Sequence, residues 1–181
     1  MLIAGIDLSL TATGIALIDT EAKAFGDEPV VVHTLRSKGV KGDGLASRAR
    51  RLRLLADAVE TLVYAADYAV IEQPAFSQTG GSHHDRSGLW WITVERLASR
   101  AVSTVEIPPT SLKKYVTGKG NASKMEVMAK LIRLMPDVEL GNDNEADALG
   151  LALMGARKFG HPLEPSLPLA NLEVMEKIKW P

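Results

Sequence analysis

The feature that most constrains this chain is a pair of short apolar runs, each passing directly into an acid. Residues 2–8 read Leu-Ile-Ala-Gly-Ile-Asp-Leu and residues 68–72 read Tyr-Ala-Val-Ile-Glu. Runs this short and this apolar predict buried strands rather than helices. A buried, unpaired carboxylate is disfavoured by several kcal/mol. Asp7 and Glu72 therefore call for a compensating partner, and a divalent cation is the simplest one.

The elements between these runs predict an α/β domain. The turn Thr11-Ala12-Thr13 leads into a second strand at 14–18, and a third is expected at 29–35, before a Gly-rich charged loop at 39–44. Apolar residues at Leu45, Leu52, Leu55, Val59 and Leu62 set the helical period for a helix over 45–64. A strand entered from a helix implies a crossover and a partly parallel sheet. Turn chemistry at 77–85 predicts a mobile loop, followed by a helix over 89–102. Next come a brief strand at 105–107, halted by Pro108 and Pro109, and a short helix at 110–116. Ser123 is placed as the cap of a helix to Met135, and Asn142 or Asp143 as the start of a last helix to about Arg157. The boundaries expected are one domain over 1–158 and a Pro-rich tail over 159–181, extended and either wrapping the domain or disordered.

That last helix carries the third acidic element, Asp143-Asn144-Glu145-Ala146-Asp147. Asp143 and Asp147 share a helix face, as do Asn144 and Asp147. The helix can thus present Asp147 and one neighbour to the acids of the sheet. Carboxylates so arranged suit two Mg²⁺ or Mn²⁺ ions about 3.5–4 Å apart, the arrangement that hydrolyses phosphodiesters. Each acid alone has a structural alternative: Asp7 closing a turn with Ser9 or Thr11, Glu72 pairing with an arginine, Asp143 acting only as a helix cap. Taken together, in this order, they point to metal.

With no cysteine in 181 residues, thiolate sites and thiol nucleophiles are excluded, and oxygen ligands for hard cations remain. The net charge of −1 is uninformative, but the distribution is not. Arg36, Lys38, Lys41, Arg48, Arg50, Arg51 and Arg53 face one acid, Asp43, and a second basic stretch runs from Lys113 to Arg133. The start of the chain has no basic leader and meets an acid at position 7, so neither signal peptide nor membrane anchor is expected, and the location expected is the cytoplasm.

The motifs resemble those of RuvC-type Holliday junction resolvases. The resemblance rests on residues 5–14 (Gly-Ile-Asp-Leu-Ser-Leu-Thr-Ala-Thr-Gly), 69–73 (Ala-Val-Ile-Glu-Gln) and 144–149 (Asn-Glu-Ala-Asp-Ala-Leu), and it extends over 106–124, spanning 3 to about 157. It implies a ribonuclease H-like mixed sheet flanked by helices, a homodimer, Mg²⁺ or Mn²⁺, and paired nicks across four-way junctions, with flaps as further branched substrates. The cell would be a bacterium, or a phage host. A helicase partner is left open. The resemblance makes Asp7, Glu72 and Asp147 metal ligands. Where relatives carry a fourth acid this chain has Asn144; either Asn144 coordinates, or Asp143 takes over, with its charge in its favour. The basic residue beside the site is Lys113 or Lys114, with Lys124 as a further phosphate contact. Phe76, slightly further along the chain behind Pro74-Ala75, is the candidate for the aromatic that relatives stack into the junction, with core packing as the alternative.

Other signals carry less. Arg48 and Arg51 are candidates for DNA contact or merely a solvated helix face, and Lys119, a further candidate for DNA contact, lies in a Gly-Lys-Gly break that lacks the spacing of a nucleotide-binding loop. His83-His84 is a poor chelating pair, expected in a polar loop. Of Trp90 and Trp91, one is expected in the core and the other toward a partner subunit. Two other functions compete: an actin- or sugar-kinase-like ATP-binding domain, which needs two such domains, and a branched-DNA binder that does not cut.

Overall fold

The computed structural model describes residues 1–21, 28–74 and 82–181. Five strands form one sheet: β1 (Leu2–Asp7), β2 (Ala12–Asp19), β3 (Val30–Arg36), β4 (Tyr68–Glu72) and β5 (Ser103–Ile107). Their order is β3-β2-β1-β4-β5. The first three form an antiparallel meander, while β4 and β5 add parallel to β1. The parallel half follows from the connections, since β4 is reached through α1 (Leu45–Leu62) and β5 through α2 (His83–Ser99).

Side chains alternate across the sheet and build two cores. Ala4, Ile6, Ile15, Leu17, Ala69 and Ile71 pack against α1 and α2 through Val59, Val63 and Leu97. Ile3, Ala16, Ile18 and Val70 pack on the opposite face against α5 (Asp143–Lys158), over which lie α3 (Pro109–Thr117) and α4 (Lys124–Leu134). Covered by the sheet on one side and helices on the other, α5 is buried from Ala146 to Ala156. The caps are local: Pro109 opens α3, Gly118 ends it at φ 82°, and Ser123 with Glu126 forms a capping box on α4.

Three expectations shift. The helix expected from Leu89 begins at His83, so His83 and His84 belong to α2, while the rest of the expected loop, 77–81, lies outside the described residues. Strand β5 starts two residues earlier than expected. The tail packs back on the domain: Leu167, Asn171 and Val174 are buried around a short helix, α6 (Leu169–Leu172). Glu164, buried beneath it, takes hydrogen bonds from Tyr115 of α3 and from Arg157 of α5, the latter at 2.7 Å. No helix among the described residues is long and apolar enough to cross a membrane.

Candidate active site

Parallel pairing places the two strand-end acids side by side. Ile6 is in register with Ile71, so Asp7 and Glu72 leave adjacent strands at the same edge. Helix α5 reaches that edge because glycines remove what would hold it away. Gly155 sits against Ile3, Gly5 lies under Ala148 and Ala152, and Gly14, the register partner of Asp7, lies under the Asn144 carbonyl. A Cβ at Gly5 or Gly14 would overlap the helix backbone. This close approach brings Asp147 to Asp7, and both are sequestered, at 7% and 6% exposure.

The electrostatics follow from crowding acids where water is scarce. Burial, then the charges of Asp7 and Asp147, push the Glu72 carboxyl up to about 9, and Glu72 hydrogen-bonds Asp7. Burial, then Asp7, pushes Asp147 up to about 7. Asp7 is also raised by burial, opposed by the bond to Glu72 and by Lys124. Asp143 moves the other way, held low by a hydrogen bond from Lys124 Nζ at 2.7 Å. Burial draws the Lys124 ammonium down, but Asp143, Asp147 and Asp7 outweigh it and raise it.

Asp7, Glu72, Asp147 and Lys124 line one cleft of about 400 Å³. The three carboxylates form its acidic wall, with Asn144, Lys113 and Lys124 beside them; His83, Arg86 and Trp90 of α2 stand among the other lining residues. Among the described residues, no three acidic or imidazole side chains surround a common ligating point as they stand. Glu72 instead bonds Asp7, and Lys124 lies 4.0 Å from Asp147. The donor chemistry nevertheless fits a hard divalent cation. Three oxygen donors that hold on to protons because positive charge is short are what such an ion would stabilise.

The structure separates the remaining candidates. Asn144 lines the cleft, whereas Asp143 turns to Lys124 and does not. Lys113 lines it; Lys114 pairs with Glu173 of the tail at 3.3 Å. Lys119 belongs to another groove, with Lys130 and Arg133. Arg48 is engaged with Asp85 of α2, and Arg51 donates to the Leu10 carbonyl and to Ser37 Oγ. Phe76 lies outside the described residues. His83 lines the cleft, and His84 is exposed. Trp90 Nε1 donates to the Glu72 carbonyl at 3.0 Å, while Trp91, stacked edge-on to Trp90, is 66% exposed.

The structural alternatives for the acids fare as follows. The turn after Asp7 is closed by Ser9 and Thr13 through two hydrogen bonds. Glu72 has no arginine partner among the described residues, and the cap of α5 is Asn142. Sequence reasoning missed Arg86 and the hold of Trp90 on Glu72. Arg86 follows once α2 is seen to begin at His83, and the signal available was the first-turn acid Asp85.

The family described as crossover junction endodeoxyribonuclease RuvC matches residues 3–155. The RuvC protein of Rhizobium etli is 31% identical over 160 residues, 87% of this chain and 90% of that protein. That of Zymomonas mobilis is 29% identical over 158 residues, 86% and 90% of the two chains. In fold, the chain is similar to Thermus thermophilus RuvC solved in complex with Holliday junction substrate, with a TM-score of 0.65 at 19% identity, covering 92% of this chain and 99% of that one. The fowlpox virus Holliday junction resolvase gives 0.52 at 13% identity over 88% of this chain and 99% of that one. With the whole acidic wall of the cleft inside the matched segment, the chain belongs to the crossover junction endodeoxyribonuclease RuvC family and has its ribonuclease H-like fold.

Proposed function

We propose that this chain is a structure-selective endonuclease that resolves Holliday junctions, and related branched DNA, by paired phosphodiester hydrolysis. The observation that carries the reading is the convergence of Asp7, Glu72 and Asp147, from two strands and a helix, on one cleft that also holds Lys113 and Lys124. Asp7, Glu72 and Asp147 are the residues that would hold divalent cations, Mg²⁺ or Mn²⁺ and two per site, with the Asn144 side chain favoured over Asp143 as the neutral fourth donor because it lines the cleft. When bound, such ions activate a water and stabilise the leaving oxygen of the phosphodiester.

The chain's own residues supply position and charge. Lys113, on a helix pinned by the tail, faces the acids and would hold a non-bridging phosphate oxygen. Lys124, now engaged with Asp143, is placed to hold the neighbouring phosphate once Asp143 and Asp147 have other counter-charge. Trp90 fixes the backbone at Glu72, so the carboxyl has a set origin. Paired nicks need two such clefts, and a homodimer through α2, with Trp91 on its exposed face, would supply them. Phe76, two residues in sequence after the cleft-lining Pro74, is proposed to stack against junction bases.

The test is cleavage of a labelled immobile four-way junction beside linear duplex and flap controls, with Mg²⁺, Mn²⁺ or EDTA, using wild type and Asp147→Asn. Paired metal-dependent nicks confined to the junction, absent in the variant, are expected. Equal cutting of flaps widens the substrate to branched DNA, and junction binding with no cutting under any metal overturns the assignment.

A further inference from the structure

Beyond the β1–β2 turn from the cleft lies a second groove of about 400 Å³, between the end of β3 and α1. Arg36, Lys38 and Arg50 line it, all exposed. None of the three side chains has a hydrogen bond or ion pair among the described residues. One acid, Asp43, shares the wall and accepts a hydrogen bond from the Val40 amide at 2.9 Å. A fourth cation, Arg51, is spent on structure: its guanidinium bonds the Leu10 carbonyl and Ser37, and so ties the groove to the turn whose Leu8 and Ser9 line the cleft. The Ser37 amide donates to the Thr11 carbonyl at 3.0 Å, a second tie across the same turn. The groove and the cleft are thus held in fixed relation on either side of residues 9–12.

We propose that this groove is a second phosphate site, where Arg36, Lys38 and Arg50 hold the backbone of the duplex arm that continues away from the cut strand. The inference rests on the junction-cutting reading above and adds a contact outside the cleavage site. Three cations against the single acid Asp43 leave the groove with an excess of positive charge, which suits a polyanion whose charges recur along a line. The contact reads no base. It fixes which phosphate reaches Asp7 and Asp147, because the arm is held at a set distance from the turn.

Junction binding measured across salt concentrations, with cleavage stopped by EDTA, tests it. Each phosphate contact contributes about 0.9 to the slope of log K against log salt. Arg36→Ala/Lys38→Ala/Arg50→Ala should flatten the wild-type slope by about 2.7, and Arg50→Ala alone by about 0.9. Lys158→Ala/Lys177→Ala/Lys179→Ala removes the same charge at the far end of α5 and in the tail, and should leave the slope unchanged. A wild-type slope in the groove variants, or an equal flattening in the tail variant, overturns the proposal while leaving the resolvase reading standing. Absence of junction binding by the wild type would overturn both.

Discussion

The Asn144 carbonyl lies directly over Gly14, the residue paired with Asp7 across β1 and β2. The acids of the cleft therefore meet because a strand position without a side chain lets α5 touch the sheet. Gly14→Ala should force the helix away. Overpacking of this kind is expected to lower stability by about 1–3 kcal/mol, read from the urea midpoint. Cleavage should fall further, by about 100-fold, since a displacement near 1 Å misplaces Asp147. Unchanged cleavage would show that the approach is not needed.

Removing one carboxylate separates chemistry from binding. Asp7→Asn keeps the shape of the site and removes a charge, so junction cleavage should be abolished while gel-shift affinity stays near wild type or rises. A variant cutting at the wild-type rate contradicts the metal-site assignment.

The adjacent lysines should behave differently. Lys113→Ala, at the cleft, is expected to lower the cleavage rate by about 10²–10³-fold, the usual loss for one group aimed at developing charge. Lys114→Ala breaks only the pair with Glu173 and should stay within about 1 kcal/mol of wild-type stability, with cleavage intact. Single-turnover rates of the two variants decide it.

Without metal, the acids make stability fall as pH rises. Glu72 at about 9 and Asp147 at about 7 stand above their ordinary 4.5 and 3.8, so the folded chain keeps protons that the unfolded chain releases. That contribution is complete below the ordinary values and is lost as pH climbs through 7 for Asp147 and 9 for Glu72. In EDTA the melting temperature should drop between about pH 5 and 9, and Glu72→Gln or Asp147→Asn should flatten the drop. Saturating Mg²⁺ should raise the melting temperature most at the alkaline end, where the carboxylates are already free of protons. A rising melting curve in EDTA would contradict the crowding described here.

In the tail, Glu164 is enclosed with Arg157 and Tyr115. Glu164→Ala leaves the arginine without its counter-charge and should destabilise the protein by about 3–5 kcal/mol, measured by chemical denaturation. A loss below about 1 kcal/mol would mean that the tail is held by its other contacts, without help from this ion pair.

What could be read from sequence was whatever is contiguous in it. Asp7 and Glu72 were legible because the strand and its terminal acid occupy neighbouring positions. The choice between Asp143 and Asn144 was not, because helical spacing lets either share a face with Asp147; which one meets the cleft depends on Gly14, 130 residues earlier. Arg48 and Arg51 looked free for the same reason, since Asp85 and the Leu10 carbonyl are remote in sequence. The distinction between Lys113 and Lys114 depends on Glu173, in a segment whose prolines say only that it is not a regular helix.

The residues of the acidic wall come from positions 7, 72 and 147, and the last is carried by a helix that lies in close contact with the sheet at Gly5 and Gly14. A ribosome-bound or proteolysed fragment ending before α5 carries two of the acids and no cutting centre. For a member of a junction-endonuclease family, this topology is a safeguard: the three acids come together only in the completed fold.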